Sequence, residues 1–214
     1  MTPGNTRAAS PQFQRPLQLN SIDAVVFDLD GTLAHSNPDF PAMRAALGLA
    51  SGADILAHVQ SLPASEQARA LDIVHHFELE AAANASWIDG AAELLNWLHA
   101  EGLPTAVLTR NMREAASHTL SRLGLEVDVL LTREDAPPKP EPGGLLQIAS
   151  RWQLEPARLL YVGDYLFDLQ TAQRAGSPSA LYCPAELPPF ASMADVLVPC
   201  YFGLIEAFSA SRCG

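Results

Sequence analysis

Four short apolar runs, separated by stretches with helical patterning, constrain what this chain can fold into more than any other feature. They are Ala24-Val25-Val26-Phe27, Thr105-Ala106-Val107-Leu108, residues 128–131, and Leu159-Leu160-Tyr161-Val162. Continuous apolar strands of this kind are buried on both faces, as in a parallel sheet. Helices are expected between them: over 90–100, closed by Gly102; over 112–123, stopped by Gly124; around Leu145, Ala149 and Trp152; and over 168–175, ending at Gly176. Residues 179–182 and 195–198 are weaker strand candidates. Strands alternating with helices predict an α/β fold, a doubly wound parallel sheet covered on both faces. In such sheets ligands gather at the carboxyl ends of the strands, so polar residues directly after each run should converge.

The alternation is interrupted once. Residues 41–49, 54–60 and 65–83 read as helices, the last with Leu71, Val74, Phe77 and Ala81 recurring at helical spacing. Residues 35–86 are therefore expected to form a helical insertion without strands, set into a core made of 21–34 and 87–214. Residues 1–20 are polar, carry Pro3, Pro11 and Pro16, and lack the apolar stretch of a secretory signal, so a flexible tail is expected there.

A net charge of −11 argues against nucleic acid and anionic membrane as partners, since both call for clustered Lys and Arg. No run of 18 apolar residues is present, and no membrane span is expected. Cys183, Cys200 and Cys213 form no CxxC and leave an odd count, which fits a reducing, cytoplasmic setting without disulfides or structural zinc. An anionic substrate would then need local help from a metal or a few placed cations.

The first run ends in Asp28-Leu29-Asp30-Gly31. Two carboxylates so close repel each other unless something compensates them, and a hard divalent cation such as magnesium is the natural partner for their oxygens. A solvated acidic turn is the plainer reading of this motif taken alone. The other strand ends add Thr109, a loop carrying Lys139, and Asp164 with Asp168. Singly, each has a structural explanation. Thr109 or Asn111 suits a helix cap, Lys139 a solvated loop, and Asp164 or Asp168 the start of the next helix. Jointly they supply what phosphoryl transfer needs: a carboxylate nucleophile, groups that grip phosphate oxygens, and metal ligands.

With those residues in place, the chain resembles the haloacid dehalogenase superfamily, chiefly its magnesium-dependent phosphatases. The resemblance rests on four motifs in order: Phe27-Asp28-Leu29-Asp30-Gly31-Thr32-Leu33, Val107-Leu108-Thr109-Arg110-Asn111, Pro138-Lys139-Pro140-Glu141-Pro142, and Val162-Gly163-Asp164-Tyr165-Leu166-Phe167-Asp168. It spans about residues 24–198 and implies a Rossmann-like core with a small helical cap. It further implies that Asp28 is the nucleophile, that Asp30 is the general acid and base, and that Thr109 and Lys139 grip the phosphoryl oxygens with backbone help near Arg110. Magnesium would be held by Asp28, the Asp30 carbonyl and Asp164, with Asp168 in support.

The implied activity is hydrolysis of a small phosphorylated metabolite through an aspartyl-phosphate, as in phosphoglycolate phosphatase-like members. A phosphomutase of the β-phosphoglucomutase type shares both aspartates and stays open as an alternative. A dehalogenase has no need of Asp30, and a phospho-receiver has no place for the insertion. His35, where the family often has an acid, together with Asn37 and Arg44, are candidate substrate contacts.

Overall fold

The computed structural model describes residues 9–212. Its strands are β1 (Gln12–Phe13), β2 (Ala24–Phe27), β3 (Ala34–His35), β4 (Ser86–Trp87), β5 (Thr105–Leu108), β6 (Val129–Leu131), β7 (Leu159–Gly163), β8 (Ser179–Tyr182) and β9 (Val196–Val198). Its helices are α1 (Phe40–Ala46), α2 (Ile55–Ser61), α3 (Ala64–Ala83), α4 (Ala91–Ala100), α5 (Arg113–Leu123), α6 (Gly143–Trp152), α7 (Leu166–Ala175) and α8 (Tyr201–Arg212).

Seven strands form one sheet in the order β1-β9-β8-β7-β2-β5-β6, parallel except for β1. The first long strand, β2, lies in the middle. The chain runs from it through the insertion to β5 and β6 on one side and then crosses to β7 on the other, which makes the carboxyl end of β2 the switch point of the sheet.

All four residues of β2 are buried, and their alternation assigns them to two cores. Val25 and Phe27 pack with Val107, Leu160 and Val162 against Leu94 and Leu98 of α4 and Leu204 and Phe208 of α8. Ala24 and Val26 pack with Ala106, Leu108 and Tyr161 against Leu145 and Ile148 of α6 and Ala172 of α7. Each large apolar side chain so buried stabilises the fold by about 1.5–3 kcal/mol. The sheet is thus covered on both faces, as its apolar strands require.

The insertion carries α1, α2 and α3, with a small core of Met43, Ile55, Val59, Ala70 and Val74. It differs from expectation in two ways. Its ends are not free of strand structure: β3 and β4 pair antiparallel, Ala34 opposite Trp87 and His35 opposite Ser86, and form a neck beside the core sheet. In α3, Leu71 faces solvent, while the buried positions are Ala70, Val74, Glu78, Ala81 and Ala82. The buried face is set by the i, i+4 row that meets the core, and it includes a carboxylate.

The N-terminal segment also departs from the expected loose tail. Gln12 and Phe13 pair with Leu197 and Val196 on the open edge of β9, Leu19 is buried, and Arg15 meets Asp195 at 3.0 Å. Pairing an exposed sheet edge satisfies its backbone groups, which accounts for the order. Residues 1–8 lie outside the described part. The last helix, α8, has no counterpart among the expected elements, although Tyr201, Leu204 and Phe208 recur at helical spacing and are fully buried. Cys183 and Cys200 are free thiols, and Cys213 lies outside the described residues. Among the described residues no helix is long and apolar enough to cross a membrane.

Because Phe208 is fully buried and its ring centroid lies 5.8 Å from that of Trp97, truncating it should leave a cavity between α8 and α4. Phe208→Ala is expected to cost about 3–5 kcal/mol in urea unfolding. A loss below about 1 kcal/mol would show that α8 contributes little to the core.

Candidate active site

Asp28 is the first residue beyond β2, and its N–H still donates to the Val162 carbonyl of β7 at 2.8 Å. The sheet ladder therefore fixes the nucleophile candidate. Asp30 follows two residues later, and Gly31 turns the chain with φ of +84°. A Cβ at Gly31 would collide with the Asp164 carboxylate, so both conformation and space require glycine.

Lys139, from the loop before α6, is only 4% exposed. Its ammonium donates to Asp28 Oδ1 at 2.5 Å and to Asp168 Oδ1 at 2.6 Å. Asp168 is held further by the Tyr161 hydroxyl at 3.1 Å and, through Oδ2, by the Tyr165 N–H at 3.0 Å, where it caps the start of α7. Burial acts to lower the Lys139 pKa, but Asp168 and Asp28 more than reverse this and hold it above its ordinary value. The reading of Lys139 as a solvated loop charge does not survive.

Asp30 has a different environment. Its Oδ1 accepts a short hydrogen bond from the Ser36 hydroxyl, and its Oδ2 accepts one from Asn111 Nδ2 at 2.6 Å. Burial pushes its pKa up, opposed by those two donors and by Lys139. Asp28 is raised well above the usual range, first by burial and then by the charges of Asp168, Asp164 and Asp30, with Lys139 opposing.

Asp28, Asp30, Thr109, Arg110, Lys139, Asp164, Asp168 and Arg44 all line one cavity of about 310 Å³ between core and insertion. Thr109 lies directly after β5, buried, with its hydroxyl accepting from the Asn111 N–H at 3.1 Å. The Arg110 guanidinium lies 4.5 Å from the Phe167 ring centroid and donates to Asp54 Oδ1 at 2.7 Å, joining core to insertion. Arg44 donates through Nε to the Ala53 carbonyl at 2.9 Å.

His35 and Asn37 do not line this cavity; both are exposed. Alternation along β3 turns Ala34 and Ser36 inward and His35 outward, so the residue between the two candidates makes the contact. Asn37 has a left-handed backbone conformation, with φ of +47°. Ser36 and Asn111, and with them Tyr161, Asp54, Glu78 and Arg133, do not stand out in the sequence as functional residues, and Asn111 there suits a helix cap. Polar residues flanking the strand ends were the only signal for the first two.

The donor set suits a hard cation. Asp28, Asp164 and Asp168 can each offer an oxygen, with the three atoms within 4.8 Å of one another. Burial raises Asp164 to about 7, with Asp168 adding and Lys139 opposing. One ammonium cannot neutralise this group, and an all-oxygen site with excess negative charge fits magnesium. Asp168 spends both oxygens on Lys139, Tyr161 and Tyr165, which leaves Asp28 and Asp164 better placed as side-chain ligands.

This arrangement has counterparts. Residues 22–176 match the family model of haloacid dehalogenase-like hydrolases. A haloacid dehalogenase-like hydrolase domain-containing protein of Arabidopsis thaliana is 35% identical over 172 residues, 75% of this chain and 70% of that protein. An N-acetylmuramic acid 6-phosphate phosphatase of Pseudomonas putida is 30% identical over 220 residues, 90% of this chain and 99% of that protein. A crystal structure of a predicted phosphoglycolate phosphatase from Haemophilus somnus shares the fold with a TM-score of 0.71 at 23% identity, covering 87% of this chain and 97% of that one. With the matched region taking in the whole of the carboxylate and lysine cluster, the chain belongs to the haloacid dehalogenase-like hydrolases.

Proposed function

We propose that this hydrolase is a magnesium-dependent phosphatase that cleaves a small phosphomonoester through an aspartyl-phosphate on Asp28. One observation carries the assignment of roles: the two aspartates of the first motif are held differently. Asp28 sits in the acidic cluster against Lys139, while both oxygens of Asp30 are engaged by Ser36 and Asn111, outside that cluster.

The reaction then follows from these positions. A carboxylate oxygen of Asp28 attacks phosphorus, and the ester oxygen leaves with a proton from Asp30. Asp30, now ionised, takes a proton from water as that water attacks the phosphorus of the aspartyl-phosphate; inorganic phosphate departs and Asp28 is restored. A carboxyl group whose pKa burial has raised is suited to the first half of this exchange. Lys139 holds Asp28 in place and offsets charge at the phosphoryl group, and the Thr109 hydroxyl is available to a phosphoryl oxygen. Magnesium, held by Asp28, Asp164 and the Asp30 carbonyl, would supply compensating positive charge for the phosphoryl oxygens.

The cavity of about 310 Å³ between core and insertion supports a small organic phosphate as substrate. Relatives named phosphoglycolate phosphatase and N-acetylmuramic acid 6-phosphate phosphatase point to the same class. Of the candidate substrate contacts in the insertion, Arg44 alone lines the cavity.

A screen of small phosphomonoesters should show steady phosphate release that stops with a chelator and returns with magnesium. Asp28→Asn should abolish it; equal release from that variant would remove the nucleophile assignment. Asp30→Asn should lower turnover of alkyl phosphates by about 10²–10⁴-fold while a phosphoenzyme accumulates with activated aryl esters. Normal alkyl turnover would contradict the acid–base role.

A pH dependence follows from Asp164, whose pKa in the fold, about 7, lies above its ordinary value of 3.8. Its contribution to metal-free stability is fully present below the ordinary value and is lost as pH rises toward 7. Magnesium should therefore raise the Tm little at pH 5 and much more at pH 8. Asp164→Asn should flatten that difference, and an equal rise at both pH values in the wild type would contradict the cluster's role.

A further inference from the structure

Glu78 is a carboxylate in the middle of the buried face of α3, on the insertion, and none of the steps above uses it. Both of its oxygens reach across to the core. Oε1 accepts from the Arg133 guanidinium at 2.5 Å, and Oε2 accepts from the backbone N–H of Met112 at 3.1 Å. Arg133, in the loop after β6, is also largely buried, and the same guanidinium nitrogen donates to the Arg110 carbonyl at 2.9 Å. The Arg133 backbone N–H donates to the Asn111 carbonyl at 3.3 Å.

Three consecutive residues after Thr109 are thus held through their main chain by this one pair: Arg110 and Asn111 at their carbonyls, Met112 at its N–H. The side chain of the middle residue, Asn111, donates to Asp30. A side-chain amide can hold a carboxylate in one orientation only if its own backbone is fixed. Here the fixing groups are a buried ion pair shared between the insertion and the core, which holds the residues on either side of Asn111, together with the Arg133 backbone N–H, which holds Asn111 itself.

We infer that Glu78, acting with Arg133, is a positioning residue for proton transfer: it fixes the Arg110–Met112 segment so that Asn111 aims Asp30 at the leaving oxygen. The inference rests on the acid–base role of Asp30 proposed above. Because Glu78 belongs to the insertion, Asp30 is fully oriented only when α3 is seated on the core. Proton donation is thereby tied to closure over the site, and a poor leaving group departs only from the closed form.

The test is the dependence of kcat/KM on leaving-group acidity, measured with magnesium over substituted phenyl phosphates from p-nitrophenyl to unsubstituted phenyl. An ester with an acidic leaving group needs little protonation, whereas the phenyl ester needs more. Glu78→Gln keeps an acceptor and the shape of the side chain. The double variant Glu78→Leu/Arg133→Met avoids leaving one buried charge unpaired. The ratio of rates on two esters does not depend on the folded fraction, so partial misfolding does not obscure the result.

Both variants should lose about tenfold more activity on phenyl than on p-nitrophenyl phosphate, a steeper slope in the same direction as that of Asp30→Asn. With Asn111→Ala already present, the Glu78 change should add little further steepening. Parallel loss across the series, or none, would overturn the inference while leaving the phosphatase assignment intact. An unchanged slope in Asp30→Asn would overturn the acid–base role itself, and the inference with it.

Discussion

The site is organised around an ammonium group placed almost out of reach of water. Moving Lys139 to this position without partners would cost several kcal/mol, so the fold must bring carboxylates to it. Asp28 comes from the end of the central strand and Asp168 from the first turn of α7, each within hydrogen-bond distance. Asp168 in turn is steadied by the hydroxyl of Tyr161, a residue of the strand adjacent to β2. Sheet register thereby reaches into the charge balance: a one-residue slip of β7 against β2 would turn Tyr161 to the opposite face and take away that support.

Lys139 compensates only part of the negative charge gathered there. This excess suits the site to a cation, since burial and mutual repulsion raise the Asp28 and Asp164 carboxyls and a divalent ion would offset that charge. Asp30 stands apart, its oxygens occupied by neutral donors, Ser36 from beyond the neck and Asn111 from the segment after β5. Neutral donors fix direction without adding full charge. Two aspartates separated by one residue thus acquire different chemistry from their surroundings alone.

Much of this convergence was legible in the sequence because strand ends in a parallel sheet are geometrically determined. Asp28, Thr109 and Asp164 follow apolar runs directly, and their meeting needs only the strand order. The hidden parts have common physical causes. Strands of two residues, such as β1 and β3, are too short for alternation to show its phase, so nothing in the sequence sets Ser36 apart from His35 and Asn37. Glu78 and Arg133 carry charges that ordinarily mark a solvated surface, and only the three-dimensional packing of α3 on α5 buries them. In α3 the expected positions Val74 and Ala81 are buried and Phe77 is partly so, while the buried face is centred slightly to one side, on Ala70 and Glu78 rather than on Leu71. The N-terminal pairing with β9 joins residues far apart in the chain, a long-range match that local patterning cannot reveal.

Since Ala34 lies opposite Trp87, the insertion leaves and rejoins the core at points one strand spacing apart. To the sheet, the whole of that segment is therefore a loop with fixed ends, and loop-closure entropy grows only slowly with the number of residues enclosed. Helices could be lengthened, lost or exchanged there without shifting any strand that carries Asp28, Thr109 or Asp164. The chemistry and the shape of the chamber above it can thus diversify on separate schedules, provided that whatever replaces α3 still delivers a partner to Arg133.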